Sequence, residues 1–77
     1  MEDLLRAIVS ELVEDKGAIE ITTDEPNEEG IITMHLHVAE NDMGRVIGKQ
    51  GRIAKAIRTV MRACANKNDM KVSVDID

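Results

Sequence analysis

Hydrophobic residues in this chain change their spacing from one segment to the next, and this change of period limits the possible folds more than any other feature. They recur three and four residues apart over residues 3–15 and 53–64, which is typical of helices buried on one face. They alternate with polar residues over residues 19–22, 32–38 and 72–76, which is typical of half-buried strands. Since the chain contains no Phe, Tyr or Trp, these aliphatic faces must form the core.

The predicted elements follow the order helix–strand–strand–helix–helix–strand. Gly17 is the predicted end of the first helix. Asn41 or Asp42 is the predicted N-cap of a short second helix that runs to about Ile47. The acidic turn between the first two strands predicts an antiparallel hairpin, and the long two-helix connection lets the last strand lie parallel to the second. We therefore expect one α+β domain over residues 1–77, with helices on one face of a three-stranded mixed sheet.

The third predicted helix should bury a single aliphatic stripe. The members of that stripe recur at helical spacing and are Ile53, Ala56, Ile57, Val60, Met61 and Cys64. Cys64 is the only cysteine, so an intramolecular disulfide is impossible, and a small core residue is its expected role. Four methionines are expected at core or core-edge positions: Met34, Met43, Met61 and Met70.

Charge is distributed very unevenly along the sequence. The net charge is -5, yet residues 43–68 contain seven bases and no acid, whereas residues 1–42 contain 12 acids and two bases. The seven bases are Arg45, Lys49, Arg52, Lys55, Arg58, Arg62 and Lys67. Because phosphate contacts depend on the local potential and not on the net charge, this segment predicts a nucleic-acid partner despite the acidic total.

The loop Gly48-Lys49-Gln50-Gly51 joins the second and third predicted helices. Its glycines permit a sharp turn and a close approach of a ligand's backbone. The first N–H groups of the following helix lie at the positive end of its dipole, where they favour an anion, and Lys49 and Arg52 add charge at the rim. The spacing alone is equally compatible with a helix junction that needs glycine only for its geometry.

The segment Val46-Ile47-Gly48-Lys49-Gln50-Gly51-Arg52-Ile53 resembles the signature of KH domains, and the order of elements resembles the type II, prokaryotic KH fold over the whole chain. Within that group the chain is similar to the small stand-alone bacterial proteins of the KhpA family. The resemblance implies that the loop holds phosphates of single-stranded RNA. It also implies that Ile47, Ile53 and the third strand near Val72 line an aliphatic groove for the bases. The short turn at Asn66–Asp69 leaves little of the family's variable loop, which implies modest sequence selectivity.

The resemblance further implies a function and partners. The expected site residues for RNA are Arg45, Ile47, Gly48, Lys49, Gln50, Gly51, Arg52, Ile53 and Lys55. The expected role is that of an RNA chaperone or post-transcriptional regulator linked to cell growth and division. The expected protein partners are a second copy of the chain, with Ile53 in the interface, or a larger KH protein of the KhpB or Jag type. Alternatives are an interaction module in which RNA binding is secondary, and single-stranded DNA binding.

Other residue patterns do not predict catalysis or a cofactor. His35 and His37 share one face of a strand, and two exposed histidines are a better interpretation than a metal site because no third ligand is evident. Neither Ser10 nor Ser73 has a histidine near it in the pattern, so no nucleophile and base pair is predicted. The acidic start is not a signal peptide, and no apolar run reaches the length of a membrane span. We therefore expect a cytoplasmic binding protein that is not an enzyme and needs no cofactor.

Overall fold

The computed structural model describes residues 1–76, and Asp77, the last residue of the predicted domain, lies outside the described residues. The elements are α1 (Glu2–Ser10), β1 (Glu20–Thr23), β2 (Ile31–His37), α2 (Met43–Ile47), α3 (Arg52–Lys67) and β3 (Lys71–Ile76). Short 3₁₀ turns lie at Lys16–Ala18, Glu40–Asp42 and Lys49–Gly51. The predicted order of helices and strands is confirmed.

The three strands form one mixed sheet in the order β1-β2-β3. Strand β1 pairs antiparallel with β2, with Ile21 opposite Leu36. Strand β3 pairs parallel with β2, with Val74 opposite Met34. Both predicted pairings are confirmed, and they leave β3 at an edge of the sheet next to α3.

The core lies between the sheet and the three helices. Its buried members come from all three helices and from β2 and β3, and they include Leu5, Val9, Met34, Leu36, Val46, Ile57, Met61, Val72 and Val74. Met34 and Met61 are fully buried, and Met43 and Met70 pack against the edge of the core, as predicted. Aliphatic residues and methionine can fill such a small core without aromatic rings because they adapt to irregular gaps.

Helix α1 ends at Ser10, so the prediction of a helix that continues to Gly17 is wrong. The N–H groups of Leu12 and Val13 both bond to the carbonyl of Val9, which closes the last turn. Beyond this point the N–H groups of Glu14 and Asp15 each donate to the carboxylate of Asp42, at 3.1 Å. A partner 27 and 28 residues away therefore satisfies these donors, so the segment can leave the helix without losing their hydrogen bonds.

Asp42 occupies the N-cap position of α2, as predicted, but its side chain makes no capping hydrogen bond to that helix. The carboxylate of Asp42 is turned instead toward the segment after α1 and is almost completely buried. We refer to Asp42, Glu14, Asp15 and Arg45 as the Asp42 junction. It ties the end of α1 to the start of α2, and so positions the helix that leads into the glycine loop.

The buried stripe of α3 is displaced by about one residue from the prediction. The helix buries Ala54, Ile57, Met61 and Ala65. Ile53 and Val60, which were expected inside, are 36% and 47% exposed, and Cys64 is only half-buried. Small residues at positions 54 and 65 let the helix lie close to the elements beneath it. The larger Ile53 and Val60 remain at its solvent side.

The face of the sheet away from the helices is polar. His35 and His37 lie on it, as predicted, with His37 exposed. Nε2 of His35 is 2.8 Å from a carboxylate oxygen of Asp24, and its Nδ1 is 3.6 Å from one of Asp75. Within residues 1–76, no cluster of three His, Cys, Asp or Glu side chains is arranged to hold a metal ion.

Candidate nucleic-acid interface

The loop Gly48–Gly51 turns the chain sharply between α2 and α3. Three of its four residues have a positive φ, which is 75° at Gly48, 59° at Gln50 and 75° at Gly51. Glycine adopts such left-handed conformations without penalty, and for Gln50 the conformation is uncommon. The turn therefore places the Lys49 and Gln50 side chains at its exposed tip.

Gly48 is required by space as well as by conformation. A Cβ at this position would lie 2.3 Å from Cγ1 of Ile53 and 2.9 Å from the backbone nitrogen of Ile53. At Gly51 a Cβ would meet nothing within 4 Å. Ile53 thus packs directly over Gly48, which joins the first turn of α3 to the loop.

Part of the hydrogen-bonding capacity expected at the start of α3 is used inside the loop. The N–H of Gly51 donates to the carbonyl of Gly48, and the N–H of Arg52 donates to that of Lys49. These donors were expected to face an anion. They stabilise the 3₁₀ turn instead, so the side chains of Lys49 and Arg52 carry more of the anion-binding capacity than the sequence suggested.

Five cations between residues 49 and 62 have no carboxylate partner among residues 1–76. They are Lys49, Arg52, Lys55, Arg58 and Arg62, and we call them the basic face. All five are exposed. Cations at this density repel one another unless an anion neutralises them, so the arrangement favours binding of a polyanion.

Arg45 differs from the basic face, although it was predicted to contact RNA. Its guanidinium lies 2.6 Å from a carboxylate oxygen of Glu14 and 3.4 Å from one of Asp42. Asp42 is in turn held in its charged form. The N–H groups of Asp15 and Glu14 lower the pKa of this carboxyl below its ordinary value, burial opposes them, and Arg45 and Lys16 assist. Arg45 is thus part of the Asp42 junction.

A cavity of about 330 Å³ lies between α3 and the open edge of β3. Its lining residues are Ile31, Arg58, Arg62, Asn66, Lys71, Val72, Ser73 and Val74. Val72 was expected in a groove and lies here. Ile47 and Ile53 were expected in the same groove, but they do not line this cavity and lie exposed next to the loop, Ile47 at 38% exposure.

Five polar residues of the cavity were missed as site residues by the sequence analysis: Arg58, Arg62, Asn66, Lys71 and Ser73. Arg58, Arg62 and Asn66 follow one another at four-residue intervals on α3, and Lys71 begins β3. The four-residue spacing is a usable signal, because such residues lie above one another on one side of a helix. The facing edge strand carries no comparable signal, since its position depends on the parallel pairing with β2.

The described part of the chain has no helix with the length and apolarity needed to cross a membrane. The geometry so far comprises a sharp glycine loop, an exposed basic face and a lined cavity at a sheet edge. These features together favour binding of an extended polyanion.

Comparisons with known proteins identify a family and several relatives of this chain. A family model described as KhpA/KhpB, KH domain, matches residues 2–76. RNA-binding protein KhpA of Listeria monocytogenes is 49% identical over 76 residues, covering 99% of this chain and 97% of that protein. The protein of the same name from Clostridium acetobutylicum is 47% identical and covers 99% of both chains. That from Borreliella burgdorferi is 36% identical over 96% of this chain and 88% of its own.

Solved structures confirm the type II KH fold. Era from Aquifex aeolicus, bound to GDP and aluminium fluoride, superimposes with a TM-score of 0.67 at 20% identity. Era in complex with MgGDPNP and nucleotides 1506–1542 of 16S ribosomal RNA superimposes with a TM-score of 0.68, also at 20% identity. The match covers 96% of this chain but only 28% of each Era chain, so it concerns the fold of one portion of Era.

Proposed function

The chain belongs to the KhpA/KhpB family of KH domains, and from that premise we propose that it binds single-stranded RNA through the Gly48–Gly51 loop and the groove beside α3. This family consists of RNA-binding proteins and not of enzymes. The observation that carries the proposal is the basic face, five exposed cations without a carboxylate partner among the described residues. A phosphate backbone supplies the missing negative charge.

The loop contributes the first contacts. Lys49 and Gln50 lie exposed at the tip of the turn and donate to phosphate oxygens. Gly48 and Gly51 have no side chain, so the RNA backbone can come close to the loop backbone. Arg52 and Lys55 extend the positive charge from the loop along α3, and Ile47 and Ile53 provide apolar contacts for the sugars and bases next to it.

Binding should be weak, salt-sensitive and only modestly selective. Domains that stack bases on aromatic rings gain roughly 1–3 kcal/mol per base from that contact. This chain contains no aromatic ring, so phosphate contacts and aliphatic packing must supply the affinity. Such a protein suits many transcripts better than one, which favours a role as a cytoplasmic RNA chaperone or post-transcriptional regulator.

The test is a pair of variants with the same change in charge. Lys49→Asp combined with Gln50→Asp places two carboxylates at the phosphate position and keeps both glycines. Aspartate also tolerates the left-handed conformation of residue 50. Affinity for single-stranded RNA, measured by gel shift, should fall roughly 100-fold because two charge-assisted contacts are lost and repulsion is added.

The control is Arg6→Asp combined with Thr22→Asp, which changes exposed residues of α1 and β1 by the same total charge. It should weaken binding by about threefold at most, through the long-range potential alone. Circular dichroism must show both variants folded. Unchanged RNA binding in the loop variant would mean that the loop is only a helix junction. Single-stranded DNA of the same sequence, run in parallel, tests whether the groove also accepts DNA.

A second candidate function is association with another KH domain, and the exposed apolar residues of α3 favour it. Ile53 and Val60 are seven residues apart, so they lie on the same side of the helix, and both are exposed. A domain with a small core can gain stability by covering such residues with a second copy or with a larger partner of the KhpB or Jag type.

Ile53→Tyr tests this association, with Thr59→Tyr on another exposed side of α3 as control. A bulky ring at position 53 should disturb close packing, so analytical ultracentrifugation should show a monomer where the parent and the control are dimeric. A parent protein that is monomeric at tens of micromolar would rule out the homodimer. Ultracentrifugation of a mixture with a larger KH protein of the KhpB or Jag type would then be the remaining test of association.

A further inference from the structure

A hydrogen bond at Nε holds the Arg58 side chain against strand β3 and orients its two terminal nitrogens. Its Nε–H donates to the carbonyl oxygen of Val74 at 3.0 Å, across the gap between α3 and β3. No other hydrogen bond or ion pair engages this guanidinium among residues 1–76. Because the guanidinium is planar, one bond at Nε sets the plane of the whole group. The two terminal nitrogens thus form a donor fork of defined orientation at the wall of the cavity.

The cavity around this fork is rich in donors. Arg58, Arg62 and Lys71 line it, and these side chains can only donate hydrogen bonds. No carboxylate among the described residues lines it. Asn66 and Ser73 also line it, but each can donate or accept and therefore does not discriminate between ligands. Val72 and Val74 supply an apolar wall. The site thus fits a flat group with an apolar face and an edge of acceptors.

Nucleobases differ in whether they present two adjacent acceptors. Guanine does so with O6 and N7, and cytosine does so with N3 and O2. In adenine the amino group lies next to both N1 and N7. An arginine fork that approaches either edge therefore meets a donor beside the acceptor. Uracil separates its two carbonyl oxygens with an N–H. An arginine fork bonds both atoms of an adjacent acceptor pair, and bases in single strands are free to present either edge.

We infer that Arg58 is a specificity-determining residue, which makes the cavity beside β3 prefer cytosine or guanine over adenine and uracil. The inference rests on the proposed RNA binding and adds a base preference to it. The preference is carried by the orientation of the fork and not by its charge, since a positive charge alone attracts the phosphates of every sequence equally.

The experiment measures four RNAs against the parent protein by fluorescence anisotropy. Each RNA is a labelled ten-nucleotide strand of uridine in which the two central positions are CC, GG, AA or UU. The parent should bind the CC and GG strands about tenfold more tightly than the AA and UU strands, because a bidentate contact discriminates on that scale. Arg58→Lys keeps the charge and removes the fork. It should reduce the difference to about twofold or less.

Arg62→Lys is the matched control, because it makes the same chemical change at a neighbouring cation of the same cavity, and it should keep the tenfold preference. Arg58→Gln provides a second loss of the fork with the same readout if the lysine variant is unfolded in a thermal melt. A parent that binds all four strands equally, or prefers AA, overturns the inference and leaves RNA binding intact. An Arg58→Lys variant that keeps the preference also overturns it. So does one whose affinity falls equally for all four strands, since Arg58 would then contact phosphate. A parent that binds none of the strands contradicts the proposed function itself.

Discussion

The Asp42 junction and the basic face both consist mainly of charged residues, yet the two regions use charge in opposite ways. In the junction the buried carboxylate of Asp42 accepts two backbone N–H groups, and Arg45 lies between it and Glu14. In the basic face none of the five cations contacts a carboxylate of the described residues. The charges of the junction have partners within the fold, and those of the basic face are the ones we propose for RNA.

This difference explains why the net charge of -5 is a poor guide to the partner. Acidic residues are concentrated before residue 43, where one of them, Asp42, holds α1 and α2 together. The cations are concentrated in the loop and α3, on the other side of that junction. The proposed RNA would therefore meet the local potential of the basic face and not the net charge.

The largest effect is expected when the loop of the basic face loses its geometry. Gly48→Ala forces a Cβ against Ile53 and gives alanine a left-handed φ, so both overpacking and backbone strain oppose folding. We expect a loss of about 2–4 kcal/mol in the free energy of unfolding, together with the loss of RNA binding. Urea denaturation followed by circular dichroism measures the first, and gel shift the second.

Gly51→Ala is the matched control for that loss. Gly51 has the same φ of 75°, but its ψ of 13° is in the left-handed helical region, where Gly48 has a ψ of 175°. An added Cβ there meets open space, so a cost of about 1 kcal/mol is expected. Equal costs at the two positions would show that Ile53 does not pack over Gly48 as described, and that the loop is softer than its geometry indicates.

The Asp42 junction should respond to loss of its carboxylate with a fall in stability and no direct effect on RNA contact. Asp42→Asn replaces an acceptor of two N–H groups by an amide that can accept at only one atom. The melting temperature at neutral pH should fall by roughly 5–10 °C. The RNA affinity of the folded variant should stay within about twofold of the parent, because the Asp42 carboxylate is buried and bonds to the segment after α1.

The pH dependence gives a sharper version of this test. The pKa of Asp42 is lowered in the folded protein, so its contribution is fully present above the ordinary value of 3.8. That contribution is lost as the pH falls below this value through the lowered pKa of the folded state. The difference in melting temperature between the parent and Asp42→Asn should therefore shrink in acid. A difference that is constant with pH would contradict the role of the carboxylate.

The smallest effect is expected when Arg45 loses its exposed partner in the Asp42 junction. Glu14→Gln removes the exposed carboxylate that lies 2.6 Å from Arg45. Exposed ion pairs contribute little, so the free energy of unfolding should change by less than about 1 kcal/mol. RNA affinity should rise by about twofold if the freed guanidinium reaches a phosphate, and titration at low salt measures it. A fall in affinity would mean that Glu14 orients Arg45 for RNA rather than occupying it.

The sequence predicts the architecture well because its signals are local. The alternation of apolar residues in β2 and β3 and the helical spacing in α1 and α3 each arise within one element, and the long connection determines the parallel pairing. The glycine loop is equally local. The end of α1 could not be predicted, because it depends on a hydrogen bond from Glu14 to Asp42, 28 residues away.

The candidate site is less completely encoded in local patterns. The sequence identifies the loop and its cations, but it does not show that Arg45 is already paired with Glu14. It also does not show that Arg58 donates to Val74 across the cavity. Both contacts join distant elements. Ile53 was expected in the buried stripe because of its helical spacing, whereas α3 buries Ala54 and leaves Ile53 36% exposed.

The salt dependence of RNA binding by the unmodified protein tests the central claim most directly. The claim is that the unpartnered cations of the basic face neutralise phosphates. Each neutralised phosphate of a single strand contributes about -0.7 to the slope of log affinity against log salt concentration. With three to four of the cations engaged, the account predicts a slope of roughly -2 to -3. A slope near zero, at measurable affinity, would show that the basic face does not hold the RNA backbone and would contradict the account.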